Sequence, residues 1–106
     1  MATLDDFKKL RLRVGRILEV QDHPHADRLY VLTVDIGETK KTVVAGIRLY
    51  YSKEALQGKY CVLVDNLDVA VIRGVESQGM LLAVKDDQHL SIVTVEKDMA
   101  LGSPVT

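Results

Sequence analysis

The chain has 106 residues, 47% of them apolar, with a single cysteine and a formal net charge of −1 from 14 Lys and Arg against 15 Asp and Glu. That length suits one domain, residues 1–106, burying roughly two thirds of its unfolded surface in a single core. One cysteine excludes an internal disulfide framework, and the near-zero charge excludes a uniformly basic, non-specific nucleic-acid binder. Nothing at the start resembles a signal peptide and no apolar run approaches the ~20 residues that span a bilayer, so a soluble, cytoplasmic protein without membrane partners is expected.

Thr3 is placed to cap a short helical turn over Leu4–Lys9. Leu10, Leu12, Val14, Ile17 and Val20 then alternate imperfectly, the pattern of a long first strand with its bend expected at Gly15. Lys8, Lys9, Arg11, Arg13 and Arg16 crowd this region against only Asp5 and Asp6. Arg11 and Arg13 share a strand face, so the run is either the edge of a polyanion track or a solvated face. His23-Pro24-His25-Ala26-Asp27-Arg28 breaks the pattern and reads as the first interstrand loop. A metal reading of His23, His25 and Asp27 lacks a second ligand pair at zinc spacing, since His89 and Cys61 are distant, so they are taken as loop residues.

Leu29–Asp35 and Lys41–Gly46 follow as the second and third strands, with Gly37 in the turn between them. Ser52 and Gly58 bracket about one and a half turns of helix as N-cap and C′ residue. Tyr60–Asp65 is the fourth strand and makes Cys61 a buried, inert thiol. Met80–Val84 is the fifth, and the whole segment between the two is a loop. Beyond it, His89–Val95 alternates as a further strand and Leu101–Val105 as a short edge strand. The fold class is mainly β, a five-stranded barrel with a short helix and extra C-terminal strands.

The loop between the fourth and fifth strands holds the candidate site: Asn66, Arg73, Ser77, Gln78 and Met80. Arg73 offers a fork of donors suited to phosphate, and the amides of Asn66 and Gln78 read donors or acceptors on a base or ribose. Ser77 does both weakly, and Met80 gives a soft apolar surface for an unstacked base. The same residue types also serve a plain tight loop, with Asn66 and Ser77 satisfying backbone groups and Met80 filling core. Gly74-Val75-Glu76-Ser77-Gln78-Gly79 is no nucleophile elbow, and no glycine-rich phosphate loop or dinucleotide fingerprint occurs, so no catalytic residue, cofactor or metal is assigned.

Several blocks in order, Leu12-Arg13-Val14-Gly15-Arg16-Ile17, Ala26-Asp27-Arg28-Leu29-Tyr30-Val31-Leu32, Val43-Val44-Ala45-Gly46-Ile47 and Gly74 to Leu82, resemble the tRNA-binding domain of methionyl-tRNA synthetases and of the endothelial-monocyte-activating polypeptide II group. The resemblance implies an OB-fold, a Greek-key barrel whose helix lies between strands three and four. It also implies a homodimer built by the C-terminal extension, about residues 88–106, and tRNA contacts at Asn66, Arg73, Ser77 and Met80. By resemblance such a module binds tRNA without catalysis and assists a methionyl-tRNA synthetase in cis or in trans. Two other functions stay open: a peptide-binding export chaperone of the CsaA type, and a synthetase docking domain without RNA binding. The chain departs from the family's basic run after Asn-Leu, having Asp68, Val69, Ala70, Val71 and Ile72 there, and has Ala45 where serine is common. Fewer phosphate contacts and an added carboxylate imply weaker RNA binding with a shallower salt dependence.

Overall fold

Thr3 caps the first helix by a reciprocal pair of hydrogen bonds. Its hydroxyl accepts the Asp6 N–H at 3.1 Å, and the Asp6 carboxylate accepts the Thr3 N–H at 2.9 Å. The computed structural model describes all of residues 1–106, and this helix, α1, spans Leu4–Lys8. The strands are β1 (Leu12–Asp22), β2 (Tyr30–Asp35), β3 (Lys40–Ala45), β4 (Tyr60–Val64), β5 (Ala70–Ile72), β6 (Val75–Ser77), β7 (Met80–Leu81), β8 (Ala83–Lys85) and β9 (Leu90–Ile92), with helix α2 (Lys53–Leu56) between β3 and β4.

The first strand is long because it serves two partners. Leu12–Arg16 pairs antiparallel with β4, and Arg16–Asp22 pairs antiparallel with β2. Its register slips between Ile17 and Glu19, so the bulge lies past the expected bend at Gly15. Gly15 answers a different need. A Cβ there would sit 2.6 Å from the Val34 Cγ1, so the glycine lets a core side chain cross the strand.

Five strands form one antiparallel sheet in the order β3-β2-β1-β4-β7. The sheet curls until β3 approaches the segment leading into β7, where side chains complete the seam. Thr42 and Gln78 exchange two bonds, the Gln78 N–H donating to the Thr42 carbonyl at 2.7 Å and the Thr42 N–H to the Gln78 Oε1 at 2.8 Å. One step along, the Val44 N–H donates to the Ser77 Oγ at 3.0 Å. The result is a nearly closed, OB-like barrel, with the edge of β3 satisfied rather than left open.

Inside lie Ile17, Leu32, Val34, Ile36, Val43, Leu56, Cys61 and Leu63, all fully buried. Strict alternation along β2 puts Tyr30, Leu32 and Val34 inward. Ser52 caps α2 by accepting the Ala55 N–H, and Leu56 enters the core from this helix. Tyr51 packs against the core, accepting the Ile92 N–H on its hydroxyl while its carbonyl accepts the Tyr30 hydroxyl.

Burial pushes the Cys61 thiol up to about 12 from an ordinary value of 9.0. The folded chain therefore holds this proton more tightly than the unfolded chain. Stability is unaffected by this group below pH 9 and falls as pH rises through about 12. A thiol-alkylating reagent at pH 8 is expected to leave the native protein unmodified and to label Cys61 once denaturant unfolds it, which mass spectrometry reads directly.

Residues after β7 differ in detail from the expected strands. Met80–Val84 is broken at Leu82, whose N–H turns to the Val62 carbonyl at 3.1 Å while its carbonyl accepts the Val93 N–H. β8 then leaves the barrel to pair with β9 as a separate ribbon. Leu101–Val105 reduces to a strap with one bridge, Arg13 to Pro104. It lies along the part of β1 that β2 leaves unpaired, with Gly102 donating to the Val14 carbonyl, Val14 to that of Ser103, and Val105 to that of Leu12.

Candidate nucleic-acid interface

The segment between β4 and β7 is a folded element where the sequence suggested a loop. Ala70 pairs with Ser77, Val71 with Glu76 and Ile72 with Val75, a hairpin turning on Arg73 and Gly74. Both turn residues have positive φ, 52° and 88°, the geometry of a two-residue type I′ turn whose twist matches its strands. Asn-Gly is the usual pair at such a turn. Arginine in its first position carries backbone strain and projects a cation from the hairpin tip.

Only three polar residues of the chain are buried, His23, Asp65 and Ser77, and each anchors a segment around this hairpin. Ser77 holds its base at the barrel seam, with its hydroxyl donating to the Gly79 carbonyl at 3.0 Å while accepting from Val44. His23 holds its tip. The His23 Nδ1 accepts the His25 N–H at 3.0 Å, which leaves Nε2 as the protonated nitrogen, donating to the Ile72 carbonyl at 3.0 Å. The Arg73 Nη2 donates to the His25 carbonyl at 3.3 Å, a second tie between loop and hairpin. Asp65, directly after β4, has one oxygen 3.1 Å from the Arg11 Nε, and Arg11 also pairs with Glu38.

These contacts give each sequence candidate a place. Asn66 is exposed but occupied, its Oδ1 accepting the Arg11 N–H at 2.7 Å and its Nδ2 donating to the Lys9 carbonyl at 2.8 Å. It ties the start of β1 to the end of β4. Ser77 and Gln78 close the barrel as described, Gln78 keeping its Nε2 without a protein partner. Arg73 and Met80 are exposed, Met80 at 52%. Met80 borders an apolar hollow of about 200 Å³ with Val44, Leu67, Ala70 and Ile72, on the β5 side of the hairpin. At the hairpin tip a separate cleft of about 450 Å³ lies between Arg73 and the loop from His25 to Leu29.

Removing the Ser77 hydroxyl leaves the Val44 N–H buried without a partner. Ser77→Ala is therefore expected to destabilise the fold by about 2 kcal/mol, read from denaturant midpoints.

The basic start of the chain is partly neutralised. Lys9 lies 3.6 Å from Asp6, Arg11 faces two carboxylates, and Arg13 donates to the Gly102 carbonyl at 3.2 Å. Arg11 and Arg13 do share a face, lining one cleft with Glu38 and Leu101. Arg16 packs over the Tyr60 ring and donates to the Gly58 carbonyl. The 23–29 loop, by contrast, carries a functional candidate that sequence reading passed over. Arg28 has neither an ion pair nor a side-chain hydrogen bond, and the only sequence signal for it is its place beside Asp27 in a loop next to a barrel mouth.

Comparison with known proteins identifies the family. The family model described as "Putative tRNA binding domain" matches residues 12–104. The methionine–tRNA ligase of Pyrococcus horikoshii is 50% identical over 101 residues, 95% of this chain and 14% of the ligase, so the chain spans about a seventh of such relatives. Among solved structures, the MetRS-related protein from Pyrococcus horikoshii superposes with a TM-score of 0.93 at 30% identity, over 100% of this chain and 98% of that one. The chaperone CsaA from Bacillus anthracis superposes with a TM-score of 0.89 at 26% identity, over 100% and 99%. With a family match that runs from the first barrel strand to the C-terminal strap, this chain belongs to the tRNA-binding domain family.

Proposed function

We propose that this chain is a non-catalytic, structure-selective tRNA-binding module that acts in the cytoplasm as a homodimer and assists a methionyl-tRNA synthetase in cis or in trans. The observation that carries the reading is Arg73, an exposed cation held in a left-handed backbone conformation at the tip of an anchored hairpin, within a chain of this family. Arg73 and Met80 meet the RNA, one through phosphate and the other against a base. Asn66, Ser77 and Gln78 set the segments that present them, and the Gln78 Nε2 is free to add a contact. Proteins read folded RNA by such placed contacts to phosphate, ribose and unstacked bases, which suits a chain whose bulk charge is near zero.

Dimerisation is supported by the β8–β9 ribbon, which pairs apart from the barrel sheet and buries Ile92 in the core while leaving its Val84 63% exposed. Two weak patches on one tRNA gain effective concentration. The CsaA likeness favours a second reading, an unfolded-peptide binder, because Leu67 and Met80 are exposed at the apolar hollow and Val69 and Val71 are exposed nearby on the same segment.

Titration of the protein with folded bulk tRNA, an unstructured RNA of equal length and an unfolded polypeptide, each at two salt concentrations, separates the readings. Selective binding of folded tRNA that weakens with salt supports the first. Polypeptide binding with no RNA binding at low salt contradicts it in favour of the second.

A further inference from the structure

We propose that the cleft between the 23–29 loop and the hairpin tip is an RNA subsite. It seats one backbone phosphate between Arg28 and Arg73 and takes an adjacent 2′-hydroxyl on Asp27, so that Asp27 discriminates RNA from DNA. The inference rests on the RNA-binding reading above and names which groups of the chain select ribose.

Three observations carry it. First, the cleft holds two guanidinium groups and one carboxylate that do not neutralise one another. Arg28, Asp27 and Arg73 line the same hollow, and none of them forms an ion pair with any residue. Arg73 spends one donor on the His25 carbonyl and keeps the rest. Such charges standing unpaired in one concavity suit a ligand that brings both an anion and a hydroxyl donor.

Second, the walls are fixed in advance. His23, buried to 3% exposure, bonds the loop through one ring nitrogen and the hairpin through the other. Below the loop, the Arg48 N–H donates to the Arg28 carbonyl at 3.3 Å and the Arg48 Nη1 to the Ala26 carbonyl at 3.4 Å, while Arg48 itself is steadied by Asp22 at 3.4 Å. A preformed site loses little freedom on binding, which favours affinity from few contacts. Third, at about 450 Å³ the cleft has room for a nucleotide, the lower range of small-ligand sites.

The chemistry separates ribose from deoxyribose. Phosphate oxygens only accept, so they belong to the two arginines. An ionised carboxylate also only accepts, so Asp27 needs a donor. In RNA the 2′-hydroxyl is that donor, next to the phosphate. In DNA the position carries hydrogen, and Asp27 then contributes only repulsion toward the phosphate. An acidic peptide would meet the arginines but leave Asp27 facing a like charge.

The test uses an RNA stem-loop and the DNA stem-loop of the same sequence, titrated at fixed salt against the wild type and variants. All three side chains are exposed, so thermal unfolding should show no loss of stability in Asp27→Ala or Arg28→Ala. The wild type should prefer RNA. Asp27→Ala should shrink the RNA-to-DNA affinity ratio about fivefold or more, mainly by strengthening DNA binding. Asp27→Asn keeps an acceptor oxygen without the charge and should retain most of the preference, which a purely electrostatic role would not allow. Arg28→Ala should weaken both ligands about tenfold and make the salt dependence shallower by about one counterion. RNA binding that depends on Arg73 while Asp27→Ala leaves the ratio unchanged overturns this inference alone. Absence of RNA binding by the wild type overturns it together with the functional reading.

Discussion

Gly102→Ala is expected to destabilise the fold by about 3 kcal/mol or more, a large share of what a domain of this size holds in reserve. Gly102 has φ +86°, a conformation that costs an L residue about 1–2 kcal/mol. A Cβ there would also overlap the Ile36 carbonyl oxygen, which is backbone and cannot rotate away. Across the same contact, a Cβ on Gly37 would lie 2.5 Å from the Leu101 carbonyl. Two turns thus press main chain against main chain, and a methyl group at either forces the C-terminal strap off β1. The Gly102 to Val14 bond at 2.7 Å and the Val14 to Ser103 bond at 3.0 Å are lost with it. Gly58 is the control, with φ +88° but nothing within 4 Å of the added Cβ. Gly58→Ala should cost only the conformational part, about 1–2 kcal/mol. Equal shifts in denaturant midpoint for the two variants would contradict a contact between the strap and the β2–β3 turn.

Arg73→Gly separates binding from folding because the two should move in opposite senses. Loss of a charge-assisted contact to phosphate is expected to lower tRNA affinity about tenfold or more. Glycine, however, accepts φ +52° without the strain an arginine carries there, so stability should hold or rise. If Arg73 merely braced the hairpin through its bond to the His25 carbonyl, removing it would lower stability and leave the affinity of the folded protein alone. Fluorescence titration and denaturant unfolding on the same preparation distinguish the cases.

The alternation of Tyr30, Leu32 and Val34 and the apolar run from Cys61 to Val64 made the barrel strands legible, because burial on one face leaves a period of two and burial on both faces, with Cys61 and Leu63 in the main core and Val62 and Val64 in a second cluster, leaves a continuous run. The caps at Thr3 and Ser52 were equally readable, since each is a local bond between residues three apart. The hairpin was not. Its strands are three residues each, its turn uses Arg-Gly, and Val69, Val71 and Glu76 are exposed, so neither alternation nor turn chemistry announced it. The seam at Ser77 and Gln78 was also hidden, because what makes those side chains necessary is an edge, β3, more than thirty residues earlier in the chain. Polar side chains in that segment were rightly conspicuous, yet their type alone does not say whether they face a ligand or a strand edge.

The most direct test of the central claim is the set of backbone amide shifts in the isotopically labelled protein on titration with folded tRNA. Perturbations should concentrate at Arg73 and its neighbour Gly74, at His25 to Leu29 and around Met80, in and beside the two hollows flanking the hairpin. Perturbations confined to the β8–β9 ribbon and the C-terminal strap, with the hairpin silent, would contradict it.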